Sequence, residues 1–139
     1  MQGVLRLGDP IPHPGLWVVA NRAQGPDPFN VTGFAIQGAN VTVFSSGRGS
    51  PVGCAVMPVV KLTGNPATFR KLESITDFTA GVVVEGAPIP ETGAALYELV
   101  LETAGGRLTK SELNGDVEYA IPREPARKKH RDCCEHGGV

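Results

Sequence analysis

The sequence predicts a single-domain α/β fold in which a short, mostly parallel sheet is flanked by helices. Short apolar, β-prone runs alternate with segments of helical spacing, which is the order that crossovers between parallel strands require. The 139 residues include 18 glycines and 12 prolines, which indicates many turns between short elements. We expect this layered domain to occupy residues 1–122.

Five runs are predicted as strands because they are apolar, rich in β-branched residues and bounded by turn residues. The predicted strands are 15–20, 41–44, 57–62, 82–84 and 117–121. The first and fourth of these are expected to be buried.

Two short helices are predicted from their first residues. Asp27 is expected to cap the first helix, which carries Pro28 in its first turn. Asn65 is expected to cap a second helix over 66–72, with Pro66 as its first residue.

The clearest helix is predicted from about residue 90 to residue 104, because its apolar residues recur at helical spacing. The residues that fall on one face are Gly93, Leu96, Tyr97, Val100, Leu101 and Ala104. After it, Thr109 and Glu112 have the spacing of a capping box for a one-turn helix that ends near Gly115.

Residues 123–139 differ in kind from the rest of the chain and are predicted to be a disordered tail. They carry a basic run at 127–131, followed by Cys133, Cys134 and His136, and have no periodic apolar pattern. Adjacent cysteines are a poor chelating pair for a tetrahedral metal site, so no metal is assigned to them.

Charge and cysteine content limit the possible partners and compartment. The formal net charge of −1 gives no electrostatic reason to expect nucleic acid or an acidic membrane surface as a partner. The first residues lack the long apolar stretch of a signal peptide, and three cysteines do not form a disulfide framework. We therefore expect a cytoplasmic protein.

The strand at 41–44 leads directly into a glycine-rich loop, which is the main candidate site. Glycine lets backbone amides approach a ligand, and serine hydroxyls and an arginine add hydrogen-bond donors that suit a carboxylate or a phosphate. The candidate binding residues are Ser45, Ser46, Gly47, Arg48, Gly49 and Ser50. The alternative is a tight connection that needs glycine only for its backbone angles, and the residues alone leave both possibilities open.

Other motifs and residues are weaker candidates for a functional site. A P-loop is excluded because Gly53-Cys54-Ala55 stands where Gly-Lys-Ser/Thr is required, and the dinucleotide fingerprint lacks its third glycine. Glu85 follows the fourth predicted strand and ranks second as a binding residue. Lys61 could face either solvent or the same crevice, and Cys54 is expected to be a small buried residue.

Residues 38–53 (GANVTVFSSGRGSPVG) resemble the C-terminal region of the altronate and galactarate dehydratases. The likeness continues in order through PVVKLTGNP at 58–66 and DFTAG at 77–81, and it covers about residues 15–121. Shorter matching segments are 30–33, 85–86, 98–101 and 109–113.

The resemblance implies an enzyme class that eliminates water from sugar acids, with sulfolactate sulfo-lyases as related members. In the complete family enzyme a divalent metal, expected to be iron, assists removal of a proton from the carbon beside the carboxylate. Loop 45–53 would then bind a substrate carboxylate or hydroxyls, while the catalytic base cannot be assigned.

Family members are several times longer than this chain, and their central region, with its cysteine and histidine positions, is absent here. We therefore expect a C-terminal domain or split subunit that binds no metal by itself. Its expected partners are a sugar-acid substrate, a chain carrying the central domain, and further copies of itself. The alternative is a non-catalytic binding or assembly module that keeps the fold alone.

Overall fold

The computed structural model describes residues 1–20 and 26–120. Two small sheets are present in this part of the chain, and all of their strands are parallel. The first contains β1 (Gly3–Arg6) and β2 (Trp17–Ala20), and the second has the order β3 (Thr42–Ser45), β4 (Val59–Thr63) and β5 (Phe78–Thr79). The α/β prediction with parallel strands is therefore confirmed, although the strands form two sheets.

Four α-helices connect and flank these strands in the described ranges. They are α1 (Asp27–Ile36), α2 (Pro66–Lys71), α3 (Ile89–Ala104) and α4 (Lys110–Asn114). Helix α2 connects β4 to β5, whereas β3 returns to β4 through residues 46–58, which contain no helix. That irregular return contains the glycine-rich loop.

Helix α2 and helix α4 begin as the sequence predicts, because their caps depend only on neighbouring residues. The Asn65 side chain accepts hydrogen bonds from the N–H groups of Ala67 and Thr68, at 2.9 and 3.3 Å. Thr109 and Glu112 form the predicted capping box, and Gly115 ends α4 in the left-handed region with φ of +73°.

The first helix begins differently from the prediction. Pro26 occupies the N-cap position and Asp27 is already helical, so the prediction that Asp27 caps α1 is wrong. The Asp27 carboxylate instead accepts a hydrogen bond from Ser50, far along the chain.

Two predicted strands are wrong, for reasons of tertiary structure. Gly81–Val83 form a 3-10 helix, because β5 already occupies the position beside β4 and Gly81 turns the chain against Pro66. Residues 117–120 form no strand, and position 121 lies outside the described residues. Strands β1 and β5, in turn, have no counterpart among the predicted strands.

The hydrophobic core lies between α1, β4 and the irregular return from β3. Its buried members are Val31, Val52, Cys54, Met57 and Val59. Cys54 is thus a small buried residue, as expected. Because Val52 lies within the glycine-rich loop 45–53 and Cys54 directly follows it, core packing holds the end of that loop in place.

Residues 121–139 lie outside the described part of the chain. The prediction of a basic, cysteine-rich tail at 123–139 falls on them, and the boundary at residue 122 stays a prediction. None of the described helices is long and apolar enough to cross a membrane.

Candidate functional site

The glycine-rich loop begins at the carboxyl edge of the three-stranded sheet. Strand β3 ends at Ser45, and the N–H group of Ser46 donates to the Leu62 carbonyl of β4 at 3.0 Å. Ligands of open α/β sheets bind beyond the carboxyl ends of the strands. The loop therefore has the position that the sequence predicts for a binding site.

The first half of the loop, residues 45–48, faces solvent with unused hydrogen-bond donors. Ser45, Gly47 and Arg48 are exposed. Among the described residues, none accepts a hydrogen bond from the N–H groups of Gly47 and Arg48, and none pairs with the Arg48 guanidinium. Two amides and a guanidinium without protein partners can bind an anion together.

Two hydrogen bonds hold the shape of this first half. The Thr68 hydroxyl of α2 donates to the Gly47 carbonyl at 2.9 Å, and the Gly49 N–H group donates to the Ser46 hydroxyl oxygen at 3.1 Å. Ser46 is therefore an internal acceptor, although its own hydroxyl hydrogen is still available. The fixed backbone keeps the amides of Gly47 and Arg48 oriented before any ligand arrives.

The second half of the loop, residues 49–53, is packed into the protein. Ser50 is only 8% exposed, and its hydroxyl donates to Asp27 Oδ2 at 2.6 Å and accepts from the Val52 N–H group at 3.3 Å. A Cβ atom at Gly53 would lie 1.8 Å from the Asp116 carbonyl oxygen. This half has structural reasons for its serine and its glycines.

Lys61 lies beneath the loop, a position that the sequence leaves undecided. It is 3% exposed, and its Nζ donates to the Pro51 carbonyl at 3.2 Å. Burial lowers the pKa of Lys61, and the carboxylates of Asp77 and Asp116 partly oppose that shift. The buried Asp116 Oδ2 has no hydrogen-bond partner among the described residues. The buried Lys61 amine therefore supports the loop from inside through its hydrogen bond to Pro51.

Glu85 does not join the loop. Its carboxylate lies 3.5 Å from the Arg70 guanidinium of α2, with both side chains exposed, and no hydrogen bond connects it to residues 45–50. Asp77 is also engaged elsewhere: its two carboxylate oxygens accept from the N–H groups of Lys61 and Lys110, at 2.8 and 2.7 Å. Asp77 thereby joins β4 to α4.

A separate groove of about 290 Å³ lies at the opposite end of the sheet. It is bordered by residues that precede β3 and β4 and by the end of α3. Its lining includes Val41, Pro58, Thr103, Ala104, Arg107 and Leu108. Because the loop follows the carboxyl ends of the strands, this groove is not part of the same site.

The described residues do not provide a metal centre. Within residues 1–20 and 26–120, no group of three or more His, Cys, Asp or Glu side chains is close enough to hold a metal ion. The hydrogen-bond donors exposed by the loop are amides, hydroxyls and a guanidinium, which are groups that suit an anion.

Fold and loop position together define a small parallel α/β domain with a glycine-rich loop at the carboxyl edge of its three-stranded sheet. Residues 1–126 match the model of the family described as D-galactarate/altronate dehydratase, C-terminal. The chain belongs to this family, and the resemblance seen in the sequence is confirmed.

The chain is similar to several much longer proteins. It is 32% identical over 124 residues to the (2R)-sulfolactate sulfo-lyase subunit beta of Chromohalobacter salexigens, covering 88% of this chain and 31% of that protein. It is 33% identical to the altronate dehydratase of Escherichia coli and 31% identical to that of Bacillus subtilis. Each of these two matches covers 85% of this chain and 23% of the relative. The chain thus spans less than a third of these relatives.

Proposed function

We propose that this chain is the C-terminal part of a sugar-acid dehydratase and that its loop binds a substrate carboxylate. The observation that carries the proposal is the pair of unpartnered amides at Gly47 and Arg48, beside an unpaired guanidinium, in a member of this family. Altronate and galactarate, named in relatives, each carry carboxylates that such donors could bind.

In this proposal the Arg48 guanidinium and the two amides donate hydrogen bonds to the carboxylate, and the Ser45 hydroxyl donates to it or to an adjacent hydroxyl. Dehydration removes a proton from the carbon beside the carboxylate and a hydroxide from the next carbon, and these leave as water. Negative charge develops on the carboxylate as the proton departs. Fixed donors at that carboxylate would stabilise the charge.

The proposal assigns the remaining chemistry to parts of the enzyme outside this chain. The family resemblance implies a divalent metal, expected to be iron, but the described residues offer no ligand cluster for it. We infer that the metal ligands and the catalytic base are supplied by the rest of the enzyme, either on a partner chain or in the same polypeptide. A cytoplasmic location stays an expectation.

A second candidate is a non-catalytic assembly module whose loop is purely structural. The internal hydrogen bonds of Ser46 and Ser50 favour it, because two of the expected donors already serve the fold. The two functions differ in what Arg48 does. In the assembly module, Arg48 would have no ligand.

Replacing Arg48 separates these two functions. We expect the purified chain to bind galactarate or altronate weakly, and Arg48→Ala to weaken binding about tenfold, because hydrogen bonds to charged groups contribute roughly 1.5–3 kcal/mol. Isothermal titration calorimetry at low ionic strength measures both affinities.

Arg70→Ala is the matched control, since it removes the same charge from an exposed position paired with Glu85. Equal affinities for the wild-type chain and Arg48→Ala would support the assembly module. Turnover by the isolated chain, with a stoichiometric metal, would refute the idea that the site is partial.

A further inference from the structure

Helix α3 is the longest helix described, yet the other described residues cover it poorly. Of its 16 residues, only Thr103 is buried. Leu96, Leu99 and Val100 lie on the same side as Thr103 and are half-buried. The helix therefore rests on the domain along one narrow side.

A second apolar stripe on α3 faces solvent. Ile89, Tyr97 and Leu101 are 71%, 61% and 47% exposed, and Gly93 and Ala104 are exposed between and beyond them. We call these five residues the outer face of α3. Tyr97 and Leu101 belong to the apolar face that the sequence predicts, but in the structure they are exposed.

The two stripes together make α3 apolar around more of its circumference than the ~100° stripe of an ordinary surface helix. The remaining side is acidic and carries Glu91, Glu98 and Glu102. A helix that is apolar on two adjacent sides is normally covered on both. The amino-acid pattern of α3 is therefore that of a helix with a second partner.

The outer face continues into the groove at the amino end of the sheet. Ala104 belongs to both, and the groove also includes Leu108, which is itself exposed. An exposed apolar stripe that ends in a groove of mixed apolar and polar lining resembles a protein-docking surface, which has an apolar centre and a polar rim.

We propose that the outer face of α3 docks against the remainder of the dehydratase, whose contact surface is apolar with a basic border facing Glu98 and Glu102. The inference rests on the proposed function. Two observations support it. The matched region covers only 31% and 23% of two relatives, so the larger part of each relative lies outside this domain. The exposed apolar stripe on α3 also borders the groove. The glycine-rich loop lies at the other end of the sheet and is not part of this contact, so the catalytic groups of the remainder would reach it from a different part of that protein.

Co-purification tests the proposal. The chain is co-expressed with tagged Escherichia coli altronate dehydratase that lacks its matching 23%, and a complex is expected to co-elute. Tyr97→Lys combined with Leu101→Lys should weaken association about tenfold or more, because central apolar contacts dominate binding energy. The matched control, Glu91→Lys with Ala95→Lys, also adds two lysines to exposed positions of α3 outside the outer face and should weaken association far less.

Three results of these experiments would overturn the docking proposal. If the folded, tagged protein fails to retain the wild-type chain, or retains the Tyr97→Lys, Leu101→Lys chain equally well, the proposal is overturned. If the chain alone forms a dimer that these lysines dissociate, the occupant is a second copy and the proposal is also overturned.

A chimaera in which residues 1–126 replace the matching region of the Escherichia coli enzyme gives a second measurement. The lysine pair on the outer face should lower its unfolding temperature more than the control pair does, and an equal effect contradicts the interface. Sugar-acid binding by the isolated chain is measured separately, so failure of the docking proposal leaves the loop hypothesis testable.

Discussion

The two halves of the glycine-rich loop have similar compositions and opposite structural roles. Residues 45–48 expose two amides and a guanidinium that no described residue engages. Residues 49–53 are packed against α1, against Leu72 and against the segment after α4. The comparison teaches that serine and glycine content alone does not identify ligand donors. The packing partners of each residue decide which half is free.

The largest expected effect is on stability and comes from the packed half. Gly53→Ala should destabilise the domain by about 3 kcal/mol or more, because its Cβ atom would overlap the Asp116 carbonyl oxygen, and backbone must move to relieve the overlap. Urea unfolding followed by circular dichroism measures the loss.

Gly47→Ala is the matched control in the free half. Its Cβ atom would meet no atom within 4 Å, and the backbone there has no positive φ. The same substitution should therefore change stability by no more than about 0.5 kcal/mol. If the two variants are equally stable, the division of the loop into a packed half and a free half is wrong.

A smaller effect is expected where the loop is joined to α1. Ser50→Ala removes the hydrogen bond to Asp27 and the acceptor for the Val52 N–H group, and should cost about 1–3 kcal/mol. Ser45→Ala, on an exposed serine with no hydrogen bond from its hydroxyl to a described residue, should cost far less. Unfolding free energies of the two variants test the difference. An equal loss in both would contradict the structural role of Ser50.

The sequence was sufficient for features that depend on neighbouring residues. The caps at Asn65 and Thr109 and the position of the loop after β3 follow from local chemistry, and all three are confirmed. Features that depend on distant residues were not predictable. Residues 82–84 are as β-prone as a strand, but β5, just before them, already occupies the position beside β4, and Gly81–Val83 form a 3-10 helix.

The same limit applies to the candidate site. Nothing near Ser50 in the sequence shows that its hydroxyl donates to Asp27, 23 residues earlier. The alternation along β4 did not show which way Lys61 points, because almost every residue of that strand is buried. For α3 the apolar spacing correctly predicted a helix, but the apolar residues occupy two adjacent sides of it. The described residues cover only the side that carries Thr103.

The pH dependence of stability tests the role of the buried Lys61 beneath the loop. Burial lowers its pKa in the folded protein below the ordinary value of 10.5, so the unfolded chain binds more protons at a pH between the two values. Protonated Lys61 opposes folding fully below the folded pKa, and this cost is relieved as the pH rises through that pKa toward 10.5. Stability relative to a Lys61→Met variant should therefore increase with pH in this window.

Urea unfolding of both proteins from pH 7 to pH 10.5 measures this difference, and titration of the tyrosines largely cancels in it. The slope cannot exceed about 1.4 kcal/mol per pH unit, because a single proton is involved. Lys71→Met, at an exposed position on α2, is the control and should show no such slope. A difference that falls with pH would mean that Asp77 and Asp116 outweigh burial, and that Lys61 is held as a stable ion pair beneath the loop.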